Sequence, residues 1–113
     1  MDDSSRLVAA EGLRVCLSTA PPHRAADIAH TLVDEGLAAC VNLIPGVRSI
    51  FRWQGAVQDD PESLLVIKAP QEGLEALAAR LEALHPYEVP ELLVLRPEAS
   101  LAPYLAWATS AEP

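Results

Sequence analysis

The chain has 113 residues, one compact domain's worth of polypeptide; half of them are hydrophobic and 21% are charged, which supplies a core and excludes disorder as the global state. Sixteen acidic against eight basic side chains leave a net charge of -8, opposite in sign to what phosphate backbones and anionic membranes attract, so no nucleic acid partner is expected. No apolar run approaches the roughly 18 to 20 residues that span a bilayer, so no membrane insertion is expected either.

Met1 to Gly12 mixes acidic, small and polar residues without a period and reads as a flexible leader, residues 1–12. From Leu13 to Ala20 the residues alternate, with Leu13, Val15, Leu17 and Thr19 on one face and Arg14, Cys16 and Ser18 on the other, which predicts a strand stopped by Pro21-Pro22. Apolar residues at Ala25, Ile28, Ala29, Leu32 and Val33 then follow helical spacing, with Pro22 near the start and Gly36 at the end. Ala38 to Trp53 predicts one long strand with a bulge at Pro45-Gly46. Gln54-Gly55 permits a reversal, Ala56 to Asp60 returns antiparallel, and Leu64 to Lys68 continues as an apolar strand, making a long hairpin of the second and third strands. Pro70 opens a second helix over Gln71 to Leu84, ended by His85-Pro86. Glu91 to Arg96 supplies a fourth strand, and a short helix from about Ser100 to Thr109 precedes a tail, residues 110–113.

Strand, helix, strand, strand, helix, strand is the order of a ferredoxin-like α+β sandwich, a four-stranded antiparallel sheet with both main helices on one face. Residues 13–109 are expected to form that single domain. Because Leu64 to Ile67 and Leu92 to Leu95 are apolar at consecutive positions, the second sheet face is apolar too, and a homo-oligomer is the simplest cover for it.

No glycine-rich phosphate loop, serine-nucleophile motif or carboxylate pair stands out, so catalysis is not expected. The densest functional grouping is His85-Pro86-Tyr87-Glu88-Val89-Pro90-Glu91, whose two prolines restrict the backbone that presents the imidazole, phenol and carboxylates. His85 and Glu88 suit a borderline metal, but the segment is more simply a helix cap and turn. Cys16 and Cys40 are too few for a disulfide scaffold and lack CxxC spacing, which points to a reducing cytoplasm. Each is either a soft-metal ligand, for copper or zinc, or a small buried hydrophobe, with Cys16 placed on the sheet face that an oligomer would cover. Lys68 ends an apolar strand and is either a snorkelling end residue or, beside His85, Tyr87 and Glu88, part of a pocket for an anion or zwitterion. Trp53, at the hairpin tip, and Trp107 suit packing and subunit contacts.

Five ordered motifs, Leu37-Ala38-Ala39-Cys40-Val41-Asn42 with Pro45, Trp53-Gln54-Gly55, Glu62 to Lys68, His85 to Glu91, and Tyr104-Leu105-Ala106-Trp107, together resemble the CutA family of divalent-cation tolerance proteins. The likeness runs from about Val15 to Trp107. It implies a homotrimer with PII-like architecture whose hairpins extend the sheets between subunits. It also implies a role in tolerance of divalent cations, with copper or another metal bound weakly at Cys16, Cys40 and His85 and not required for folding. Ala69 stands where the family has threonine after the lysine, removing a hydroxyl from any pocket that Lys68 lines. Two other readings stay open: a small-molecule sensor with an intersubunit cleft at Lys68, His85, Tyr87 and Glu88, and a trimeric scaffold for a partner protein.

Overall fold

The computed structural model describes residues 5–110. In chain order the elements are β1 (Leu7–Ala9), β2 (Leu13–Ala20), α1 (Pro22–Asp34), β3 (Cys40–Trp53), β4 (Ala56–Pro70), α2 (Leu74–Leu84), β5 (Leu93–Leu95), β6 (Ala99–Leu101) and α3 (Ala102–Ala108). The main sheet runs β3-β4-β2-β5 with every pair antiparallel, the ferredoxin-like order that the sequence predicts.

Local chemistry sets most of the boundaries. Pro22 starts α1, where its missing N–H costs no helical hydrogen bond, and Gly36 closes the helix in the left-handed region at φ +75°, its N–H donating to Val33 O. The register of β3 against β4 slips between Ile44 and Val47, the bulge expected at Pro45-Gly46. Gln54 and Gly55 both have positive φ, 51° and 81°, and join Trp53 to Ala56 as a two-residue turn that suits strand twist. A 3₁₀ turn over Gln71–Gly73 precedes α2, so the regular helix starts later than the apolar spacing suggests.

Four departures from expectation stand out. Leu7–Ala9, expected within a flexible leader, pairs with Ala99–Leu101 as a separate two-stranded sheet; this partner lies some ninety positions away, beyond any local pattern. Residues 1–4 of that leader and residues 111–113 of the expected tail lie outside the described residues. The last helix starts at Ala102, with Pro103 in its first turn and Leu101 still extended. The fourth strand shrinks to Leu93–Leu95.

The fourth departure concerns which face of β2 meets the helices. Cys16, Ser18 and Ala20 are fully buried beneath them, with Leu65, Ile67, Ala69, Ile28, Leu32, Leu77 and Leu81 completing the core. Cys16 therefore belongs to the helix layer and not to the face open for association, which corrects the sequence reading. Alternation separates two faces without saying which is inward. Small side chains let helices approach the sheet closely, and the larger Val15 and Leu17 occupy the other side.

That open side is apolar, as expected. Directly paired residues share a face, so Val15, Leu17, Leu64, Val66, Ile44, Leu93 and Leu95 form one surface, and Ile44, Leu93 and Leu95 are each about half exposed. The molecule measures 56 × 27 × 22 Å, because beyond the bulge β3 and β4 continue as a two-stranded arm. Residues 56–62 of that arm pair only with β3, and it carries exposed Ile50, Phe51, Trp53 and Val57.

Candidate functional site

His85 caps α2 and sits at the far end of β2. Its ring is 7% exposed, Nε2 lies 2.8 Å from Thr19 O, and Nδ1 accepts the Tyr87 N–H at 3.1 Å. An Nδ1 that accepts from an amide is unprotonated, so the proton is on Nε2 and donates to the carbonyl. Both nitrogens are thus engaged by backbone. This geometry serves the turn reading and leaves no lone pair facing outward for a metal.

The turn that His85 builds delivers Tyr87. Its ring tilts against the imidazole at a centroid distance of 4.7 Å, and its hydroxyl donates a 2.7 Å hydrogen bond to Glu62 Oε2. Glu62 is 5% exposed, and sequence reasoning passed over it as a site residue. The available signal was its phase, since it alternates with Leu64 and Val66 and so belongs to one face of β4. Burial holds the Tyr87 phenol well above its usual pKa, assisted by the hydrogen bond to Glu62 and by the charges of Glu62 and Asp60. A further bond, from Ser18 Oγ to Glu91 O at 2.7 Å, pins the end of the proline segment to β2.

Between this segment and the arm lies a groove of about 420 Å³, walled by Phe51, Trp53, Gln58 and Asp60 on one side and Tyr87 and Glu88 on the other. The register explains the arm's contribution. Trp53 pairs with Ala56, Phe51 with Gln58, Ser49 with Asp60 and Val47 with Glu62, so these residues share a face, while Arg48, Ile50, Arg52, Val57 and Asp59 share the opposite one. Arg48 forms a bidentate pair with Asp59 on that opposite face.

Lys68 is not part of this groove. It stands six residues beyond Glu62 on β4, about 20 Å at the rise of a strand. There it pairs with Val15 and Cys40, its ammonium hydrogen-bonded to Asn42 Oδ1 and 3.9 Å from Cys40 Sγ. Within one copy the four expected pocket residues accordingly divide: His85, Tyr87 and Glu88 stay together and Lys68 stands apart. Within one copy, Lys68 therefore supplies no counter-charge to this groove.

The metal set divides as well. Cys16 is fully buried among core side chains, and burial raises its thiol pKa. Cys40 is half-buried on the open face, where its proximity, after burial, raises the pKa of Tyr104. The two cysteines therefore lie on opposite faces of the sheet, and both are free thiols. Among the described residues no three His, Cys, Asp or Glu side chains come together in a way that could hold a metal ion. Trp107 lines a different groove, of about 440 Å³, between the end of α1 and α3. No described helix is long and apolar enough to cross a membrane.

The sequence model of the CutA1 divalent ion tolerance protein family matches residues 14–111. The divalent-cation tolerance protein CutA of Thermus thermophilus is 47% identical over 94 residues, covering 82% of this chain and 91% of that protein. Chloroplastic CutA of Arabidopsis thaliana is 39% identical over 109 residues, which are 95% of this chain and 58% of the longer plant protein. Among solved structures, CutA of Synechococcus elongatus superposes with a TM-score of 0.89 at 40% identity, covering 97% of this chain and 98% of that one. A structure titled PII-like protein CutA, from Nostoc in apo form, gives 0.83 at 39% identity, covering 87% and 95%.

Proposed function

This chain belongs to the CutA1 divalent ion tolerance family, and from that premise we propose that it serves divalent-cation tolerance as a non-catalytic homotrimer. The observation that carries the assembly is the pairing of an apolar open sheet face with a projecting two-stranded arm. A hairpin without further strands is marginal in water, and an edge strand as long as β3 invites pairing with another chain. A second and third copy cover both at once, with Ile50 and Val57, exposed on the arm face opposite the groove, among the contacts.

Metal binding in this reading is weak and is shared between copies. What supports it is the scatter of donors within one copy: Cys16 is enclosed, His85 is engaged, and Cys40 lies on the face that neighbouring copies approach. Copper, which accepts thiolate, is the metal of choice at Cys40. Two free thiols suit a reducing cytoplasm. Calorimetric titration with copper and zinc of the wild type, Cys40→Ser and His85→Ala tests the assignment. Loss of affinity in Cys40→Ser alone is the expected result; unchanged affinity in both variants removes these residues from the account.

A second reading is favoured by the groove. A walled cavity beside a hydrogen-bonded Tyr87 and a rigid proline segment is a small-molecule site, and a neighbouring copy would complete its rim. Thermal-shift screening against metals and metabolites separates the two readings, since a shift with metals alone counts against the small-molecule site.

A further inference from the structure

We infer that the groove between the arm and the Pro86–Pro90 segment takes an organic cation, an alkylated ammonium or a guanidinium, held between aromatic faces and two carboxylates. The inference rests on the reading of this groove as a ligand site and names the ligand's chemistry.

Three of the chain's five Phe, Trp and Tyr residues, Phe51, Trp53 and Tyr87, line this one groove, and each is only about 40% exposed. Asp60 and Glu88 stand beside them. None of the eight Lys and Arg side chains, all among the described residues, lines it. The exclusion has a structural cause: strand alternation turns Arg48 and Arg52 to the other face of the arm, and Lys68 lies far down β4. Aromatic faces attract cations through the ring quadrupole, and adjacent carboxylates add charge without demanding coordination. Donation of the Tyr87 hydroxyl to Glu62 leaves that ring richer in electrons, strengthening the attraction. A hard divalent ion fits less well, because it needs six or more oxygen ligands at short range and the groove offers few.

The test uses the full chain in its native assembly and three probes of one shape: tetramethylammonium, neutral tert-butanol and anionic pivalate. In a Trp107→Phe background Trp53 is the sole indole, and ligand-observed NMR of the probe methyl protons with the unmodified chain reads the same ranking. The expected result is saturable binding of tetramethylammonium, at least about tenfold tighter than tert-butanol, with no binding of pivalate. Asp60→Asn combined with Glu88→Gln is expected to weaken it by about tenfold or more, with the melting temperature retained. Equal binding of the cation and the alcohol, or a preference for pivalate, overturns the cation inference while keeping the groove as a ligand site. Silence of all three probes overturns both, as it would if a side chain of a neighbouring copy already fills the groove.

Discussion

The hydroxyl of Tyr87 donates to Glu62 Oε2 at 2.7 Å, joining the proline segment to the base of the arm across 25 positions of sequence. The bond gives a nearly buried carboxylate its partner and fixes one wall of the groove. Tyr87→Phe is expected to destabilise the fold by about 1–2 kcal/mol, because it leaves Glu62 without that donor. Glu62→Gln, which keeps an acceptor, should cost less. Urea titration of the three proteins at one concentration checks the order, and an equal loss in both variants would remove the hydrogen bond as the cause.

The same contact predicts a pH dependence in the alkaline range. The folded state holds the Tyr87 phenol above its ordinary value, so above about pH 10 the unfolded chain gives up its proton first. The stability associated with the neutral phenol is fully present below the ordinary tyrosine pKa and is lost as pH rises towards the folded one. Tyr104, also raised, contributes in the same sense. Stability measured from pH 8 to 11 should fall in the wild type and fall less steeply in Tyr87→Phe.

If the open face closes by trimerisation, light scattering should report three times 12.1 kDa, and the apparent melting temperature should rise with protein concentration. Val66→Asp, placed mid-sheet on that face beside Leu17, should dissociate the assembly. A lone chain at working dilution in the wild type would contradict the proposed trimer.

The hairpin turn offers a local test. Gly55 sits at φ +81°, so Gly55→Ala should destabilise by about 1 kcal/mol through left-handed strain alone. Gln54 occupies the preceding left-handed position, and Gln54→Asn, better suited there, should stabilise by about 0.5 kcal/mol. Thermal melts at fixed concentration read both signs, and matching signs would mean the turn is not under conformational control.

Cys16 gives a further contrast. Its sulfur is enclosed and its thiol pKa raised, so a thiol reagent should modify it only on unfolding. Cys16→Ser should lower stability by about 1–3 kcal/mol by burying a hydroxyl in apolar surroundings, while copper affinity stays unchanged. A parallel loss of copper affinity in a still-folded Cys16→Ser would return this residue to the metal account.

The sequence by itself determined the order of the four main-sheet strands and the helices, the bulge at Pro45-Gly46, the Gln54-Gly55 reversal and the apolar character of both sheet faces. Each is written in neighbouring residues, as periodicity, proline restriction or a left-handed glycine. Only the tertiary structure decided that Cys16 faces the helices, that Lys68 stands far from Tyr87, that Glu62 is the phenol's partner and that Leu7–Ala9 has a strand to join. Those relations depend on cross-strand register and on which face meets the helices, and distances across a sheet are fixed when strands pair, whatever their separation along the chain.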